Sequence, residues 1–293
     1  MKILALALAC LSLATACTKT EKGNVITIGF NPAENADVVE TNGKAFSEFY
    51  EKQTGARVKT FIATDYTALI EAMRGGQVDF AFLPAFSYVK AEEMAGAKVL
   101  MKAVRKGRPV LFSAIITRAD RGISSVQQLK GKNIAWVDPA SSSGFIIPRA
   151  TLLLKEKIEA DSFFGKQVYA GSHDALVLAV LNGTVDAGAT FSNDPEGKDG
   201  SWHQYLKSPA EQQKIKMIYV SDPIPGDTLA TTEKFDKAHP ELVAKTVKLL
   251  GDMGNSDEGK ALLKALYHID SMVPAASAEY QGVRDAAKAV GIK

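Results

Sequence analysis

Two stretches of the chain repeat one structural grammar. Ala72-Met-Arg-Gly-Gly-Gln-Val-Asp-Phe-Ala and Ala179-Val-Leu-Asn-Gly-Thr-Val-Asp-Ala-Gly each run from a helix end through a glycine turn into Val-Asp and a strand. A glycine closing a helical stretch is a common helix stop, and a short apolar run after turn signals reads as a buried strand. A chain that uses this unit twice, among further alternations of β-rich and helical runs, is constrained to an α/β architecture. In that architecture mainly parallel central sheets carry helices on their faces. The echo predicts two lobes built alike; two copies are too few for a solenoid, which needs three or more.

The same reading places strands at 25–30, 57–62, 78–83, 110–118, 134–137, 187–191 and 217–221, and helices at 44–54, 65–74, 125–129, 147–157 and 174–181. The C-terminal segment, 240–292, reads as helical and is expected to pack on the first lobe. Lobe one is therefore expected to be discontinuous, 25–117 plus 222–293, with lobe two at 118–221 and linking strands near 115–118 and 219–222. With 293 residues and 46% hydrophobic content, the chain is long enough for two separate cores.

Ahead of the first strand stands a leader. Met1-Lys2 carries one positive charge, 3–16 is apolar and small, and Cys17 follows Leu13-Ala14-Thr15-Ala16. This pattern reads as a signal peptide over 1–16, since its apolar run is short of the roughly 20 residues of a membrane-spanning helix. The stretch before Cys17 resembles a bacterial lipoprotein box, with Ala14 where such boxes usually carry Leu. Cys17 is read either as a lipidated first residue with 17–24 as its polar tether, or as a small residue at the cleavage site. Both cysteines, Cys10 and Cys17, precede the folded region, so a disulfide or a cysteine-based metal site is not expected within it. Thirty-five Lys plus Arg against 33 Asp plus Glu leave +2, and removing Lys2 with the leader leaves 34 against 33, or +1. That balance argues against a nucleic-acid partner; any attraction for an anion must be local.

The segment richest in chemistry is Asp138-Pro-Ala-Ser-Ser-Ser-Gly144, between a strand and a helix carrying Pro148 and Arg149. Unpaired N–H groups at a helix start and the macrodipole favour an anion there. Ser141, Ser142 and Ser143 add hydroxyl donors, and Gly144 permits close backbone approach. The serines read equally well as helix caps.

Six markers in order then resemble the substrate-binding components of phosphonate and phosphite ABC importers, proteins of the two-lobed type II periplasmic-binding-protein fold. They are Thr64-Asp-Tyr-Thr-Ala-Leu-Ile-Glu-Ala-Met-Arg-Gly-Gly-Gln-Val-Asp-Phe-Ala, Pro84-Ala-Phe-Ser-Tyr-Val, Gly122-Ile with Leu129-Lys-Gly-Lys, Asp138-Pro with Ser141-Ser-Ser-Gly, Gly171-Ser-His-Asp-Ala, and Ile224-Pro-Gly-Asp. The resemblance runs from about Val25 to Ile269. It implies that Ser141, Ser142 and Ser143 hold the oxygens of a phosphorus oxyanion and that His173 donates from the opposite side. It implies further that Tyr66 reaches across the cleft and Asp227 returns from lobe one. A carboxylate in such a site accepts from a protonated ligand oxygen or pairs with the ammonium of an aminophosphonate.

Other positions stay open between two roles. Asp194 is either a second acidic contact or a solvated loop carboxylate; Phe112, at Val110-Leu-Phe-Ser where relatives often carry tyrosine, is an apolar wall or a core aromatic. Ser87 and Tyr88 line the cleft or pack the next helix, and Tyr66 itself could simply cover the core. His203, His239 and His268 show no metal spacing, and neither a metal nor a cofactor is expected. The implied protein is a monomeric, non-enzymatic solute-binding lipoprotein of the periplasm or cell surface, closing on its ligand and delivering it to a membrane permease. A phosphate-ester hydrolase built on Ser, His and Asp, and a ligand-sensing lipoprotein, are the alternatives. The sequence has no Gly-x-Ser-x-Gly elbow, Walker loop or His-Glu-x-x-His to support the former.

Overall fold

The computed structural model describes residues 25–292. The leader 1–16, Cys10, Cys17 and the tether 17–24 lie outside the described residues. The strands in chain order are β1 (Val25–Phe30), β2 (Arg57–Ile62), β3 (Phe80–Leu83), β4 (Ala97–Val104), β5 (Val110–Arg118), β6 (Ile134–Trp136), β7 (Gln167–Tyr169), β8 (Ala187–Ser192), β9 (Ile215–Val220), β10 (Ile224–Pro225), β11 (Thr228–Thr232) and β12 (Ser271–Pro274). They form two sheets flanked by helices, one ordered β12-β4-β11-β3-β1-β2 and the other β10-β5-β8-β6-β7 with β9 also on β5. The repeated grammar falls in corresponding places: one copy leads into β3, the other into β8, and each of these strands sits inside its sheet.

The sheets are mixed, where mainly parallel ones were expected. The pairs β1–β2, β1–β3, β6–β7 and β6–β8 are parallel, as helical crossovers require. Strands β4, β5, β9, β10, β11 and β12 pair antiparallel. The lobe boundary moves with them. Strand β5, placed in lobe one from the sequence, hydrogen-bonds to β8, β9 and β10, and the 115–118 region sits within the second sheet. The chain therefore crosses between sheets at 105–109, after β4, and returns at 226–227, between β10 and β11. The linking strands expected near 115–118 and 219–222 are not the crossovers.

Local signals account for the helices. Asn35 caps Ala36–Thr54, accepting from Asp37 N–H and Val38 N–H, and Gly55 ends it in the left-handed conformation. The expected start at 44 falls inside this helix, which runs on through Gly43, packed against the Phe30 ring. Val39, Phe46 and Tyr50 point inward from this helix, and Phe46 and Phe82 meet edge to face 5.3 Å apart. The helical C-terminal segment is interrupted by β12, which pairs with β4 at the sheet edge, where Pro274 is tolerated.

The lobes are joined by more than the crossovers. Phe86 N–H donates to Ser142 Oγ (2.7 Å), Ser87 Oγ–H to the Ala140 carbonyl (2.9 Å), and His173 N–H to the Ala33 carbonyl (2.9 Å). The C-terminal helix Gln281–Ala289 packs on helix Ala85–Ala95 of one lobe and helix Ile147–Glu156 of the other.

Candidate functional site

The serine segment begins where β6 stops. Asp138 closes a turn by accepting from Ala140 N–H (2.7 Å), and Ser141 N–H donates to the Asp138 carbonyl (2.9 Å). Ser142–Ile146 then forms a π-turn that runs directly into helix Ile147–Glu156. Pro148 is one reason for the wide turn. Lacking an N–H, it cannot bond the Gly144 carbonyl four residues back, and that carbonyl accepts from Val137 N–H instead (3.1 Å). The Ser143 carbonyl is taken by Ser113 Oγ–H of β5 (2.7 Å). The turn is thus tied to the sheet by its carbonyls, while its leading amides have no partner one turn back. Gly144 is required here, because a Cβ would stand 2.5 Å from a methyl of Val137.

The three serines have distinct neighbours. Ser141 caps, accepting from Gly144 N–H (3.1 Å); Ser142 accepts the Phe86 N–H from the other lobe. Ser143 hydroxyl makes no hydrogen bond among the described residues. All three line an interlobe cavity of about 50 Å³, together with Tyr66, His173 and Asp227. The six residues carried over from the resemblance therefore converge on one cavity.

Tyr66 opens helix Tyr66–Arg74, whose cap Asp65 accepts from Ala68 N–H (2.7 Å). Its ring belongs to the core, as the covering reading expects, and the residue also lines the cavity. Asn31 and Ser141 stand near the phenol, yet among the described side chains none meets it with hydrogen-bond geometry. Burial, reinforced by the Asp138 and Asp227 carboxylates, raises its pKa far above the ordinary phenol range, so it is a neutral donor. His173 starts helix His173–Leu181, capped by Ser172. Its Nδ1 lies 2.8 Å from Thr190 Oγ1 and its ring meets Phe191 edge to face. Burial, with the nearby Arg105 charge second, pushes its pKa down to about 3, so the imidazole is neutral at pH 7.

Asp227 lies on the return crossover. Its backbone carbonyl accepts from Ala103 N–H (2.8 Å), and its Oδ2 accepts from Arg105 Nη2 (2.8 Å). The crossover runs so close to β4 that a Cβ on Gly226 would meet the Ala103 carbonyl at 2.3 Å. Arg105 stands on the outgoing crossover, only 7% exposed, and also donates through Nε to the Tyr267 carbonyl (3.0 Å).

Four further candidates do not line the cavity. Ser87 spends its hydroxyl on Ala140, and Tyr88 donates to Glu92 (2.6 Å) while packing edge to face on Tyr280. Phe112 pairs with Ser192 in the second sheet; its neighbour Leu111, on the opposite face of β5, reaches the cavity. Asp194 accepts from Lys198 N–H (3.0 Å) and Asp199 N–H (2.6 Å), organising its own loop. Sequence reasoning missed Asn31, Arg105, Tyr205 and Tyr267, all of which line the cavity. Arg105 carries no local signal, sitting among Lys102, Lys106 and Arg108 in a basic stretch.

A family model described as ABC transporter, phosphonate, periplasmic substrate-binding protein matches residues 28–280. Among curated proteins, the "Phosphate-import protein PhnD" of Mycolicibacterium smegmatis is 32% identical over 98% of this chain and 96% of its own length. The "Phosphonates-binding periplasmic protein" of Escherichia coli is 28% identical over 84% of this chain and 71% of its own length. Among solved structures, PhnD1 of Prochlorococcus marinus in complex with methylphosphonate superposes with a TM-score of 0.79 at 20% identity, covering 91% of this chain and 98% of that one. A binding component of an ABC phosphonate transporter from Pseudomonas aeruginosa gives a TM-score of 0.78 at 24% identity, covering 89% and 85%.

Proposed function

Because the chain belongs to the phosphonate-binding family of periplasmic ABC-transporter substrate-binding proteins, we propose that it captures a single phosphorus oxyanion in the interlobe cavity and hands it to a membrane permease. The observation that carries this reading is the meeting of Ser141, Ser142 and Ser143, at the start of a lobe-two helix, with Tyr66 and His173 around one cavity. Amides at a helix start, neutral hydroxyls and a neutral imidazole offer donors already held in place by the fold. Preorganised donors repay little ordering entropy on binding.

In this reading the anion bridges the lobes. Ser142 and His173 belong to the second sheet's lobe, whereas Tyr66 belongs to the first, so an anion touching all three stabilises the closed form over an open one. The crossovers at 105–109 and 226–227 absorb the rotation, and Asp227 accepts from a protonated ligand oxygen. The relatives named above are import and binding proteins, which favours capture over the hydrolase and sensor alternatives. Lipidation of Cys17, with 17–24 as tether, would hold the protein at the membrane surface beside the permease; mass spectrometry of the membrane-extracted protein tests that part.

Titration calorimetry with phosphate, phosphite and methylphosphonate, with sulfate as control, tests the whole. At least one phosphorus anion binds more tightly than sulfate, and Ser142→Ala weakens it by about 1.5–3 kcal/mol, the range for a hydrogen bond to a charged group. Unchanged affinity in folded Ser142→Ala would remove the serine turn from the site.

A further inference from the structure

Aspartate in an anion pocket invites a cation, and the protein already supplies one. Asp227 Oδ2 stands 2.8 Å from Arg105 Nη2, and the arginine is held in turn by the Tyr267 carbonyl at 3.0 Å from its Nε. The pair ties one crossover to the other, since Arg105 follows β4 and Asp227 precedes β11. Among the described residues that line the cavity, Arg105 and Asp227 are the Arg, Lys, Asp or Glu side chains, and His173 is neutral.

We propose that Arg105 is a specificity-determining residue, which by engaging Asp227 restricts the cavity to compact tetrahedral oxyanions with a small uncharged fourth substituent and turns away aminoalkylphosphonates. The inference deepens the anion-capture reading of this same cavity and rests on it.

Three observations carry it. The first is charge: an ammonium approaching the free oxygen of Asp227 would come within a few ångströms of a buried guanidinium, and like charges at that range repel strongly in a poorly hydrated site. The second is space. The cavity of about 50 Å³ holds about three to five water-sized centres, at roughly 10–15 Å³ each, which matches the four substituents of a tetrahedral phosphorus. An aminoethyl arm adds two more heavy atoms beyond the carbon bound to phosphorus. The third is lining: Phe82, Leu83, Leu111, Phe191 and Ile269 face the cavity, and such walls suit hydrogen or methyl better than a charged arm.

The test is the ratio of affinities for 2-aminoethylphosphonate and methylphosphonate, measured by calorimetry on the purified protein at pH 7. The wild type binds methylphosphonate, phosphite or phosphate at least 100-fold more tightly than aminoethylphosphonate. Arg105→Ala frees the carboxylate and some volume, and moves the ratio at least tenfold toward the amine. Asp227→Asn, of nearly the same shape, leaves the Arg105 charge without its counter-charge and moves the ratio further away from the amine. Equal wild-type affinities overturn the proposal, as does an unchanged ratio in folded Arg105→Ala, or a ratio in Asp227→Asn that moves toward the amine. Should circular dichroism show Arg105→Ala unfolded, the other two ratios decide. Failure of every phosphorus anion to bind refutes the capture reading itself, a result distinct from tight binding of the aminated ligand.

Discussion

Tyr66→Phe should separate stability from binding. The substitution removes one oxygen and leaves the ring, which is fully buried in the core. In the folded protein that hydroxyl has no hydrogen-bonded partner among the described side chains, so its removal breaks no protein contact. A buried polar group left unsatisfied destabilises by about 1–3 kcal/mol. The ligand-free variant is therefore expected to melt no lower than wild type, and to rise by about 2–4 °C for each kcal/mol of relief in a domain of this size. Binding moves the other way. A neutral phenol donating to an anion contributes about 1.5–3 kcal/mol, so the dissociation constant rises by roughly 10- to 150-fold. Differential scanning calorimetry without ligand and titration calorimetry with methylphosphonate read the two effects separately. A lower melting temperature with unchanged affinity would refute the reasoning, because the hydroxyl would then be serving the fold and not the ligand.

Two more outcomes follow from the same geometry. The folded protein holds the His173 pKa at about 3 against an ordinary 6.5, so below pH 6.5 the unfolded chain gains a proton that the folded chain refuses. Its contribution is intact above pH 6.5 and lost as pH falls toward 3, at about 1.4 kcal/mol per pH unit and on the order of 5 kcal/mol in total. Urea unfolding of His173→Asn at several pH values should show a shallower acid limb; an identical slope would contradict the assignment. Gly144→Ala should destabilise by about 1–3 kcal/mol through overpacking, since its Cβ would meet Val137 at 2.5 Å. A melting temperature equal to wild type would show that the turn can shift at no cost.

How much of this was legible beforehand depended on whether the signal was local. The alternation of β-rich and helical runs, with the paired Gly and Val-Asp turns, indicated an α/β chain of two similar lobes, because caps and periodicity are properties of neighbouring residues. Three serines ahead of Pro148 marked a helix start, and Tyr66, His173 and Asp227 came from motif resemblance. Periodicity could not report strand direction, so the mixed sheets and the crossovers at 105–109 and 226–227 were invisible. Ser87 and Tyr88 illustrate a finer limit: both lie just past a strand end, yet their hydroxyls turn to Ala140 and Glu92.

The sequence by itself determined the units, their capping and the place where an anion could meet a helix start. Only the tertiary structure decided which distant groups share that place: Arg105 beside Asp227, Tyr267 bonded through its hydroxyl to the Asn31 carbonyl, Phe86 N–H on Ser142. Such pairings join segments far apart along the chain. They are selected by how two sheets and their helices pack together, and no local pattern in a one-dimensional string encodes which buried charge will find which partner.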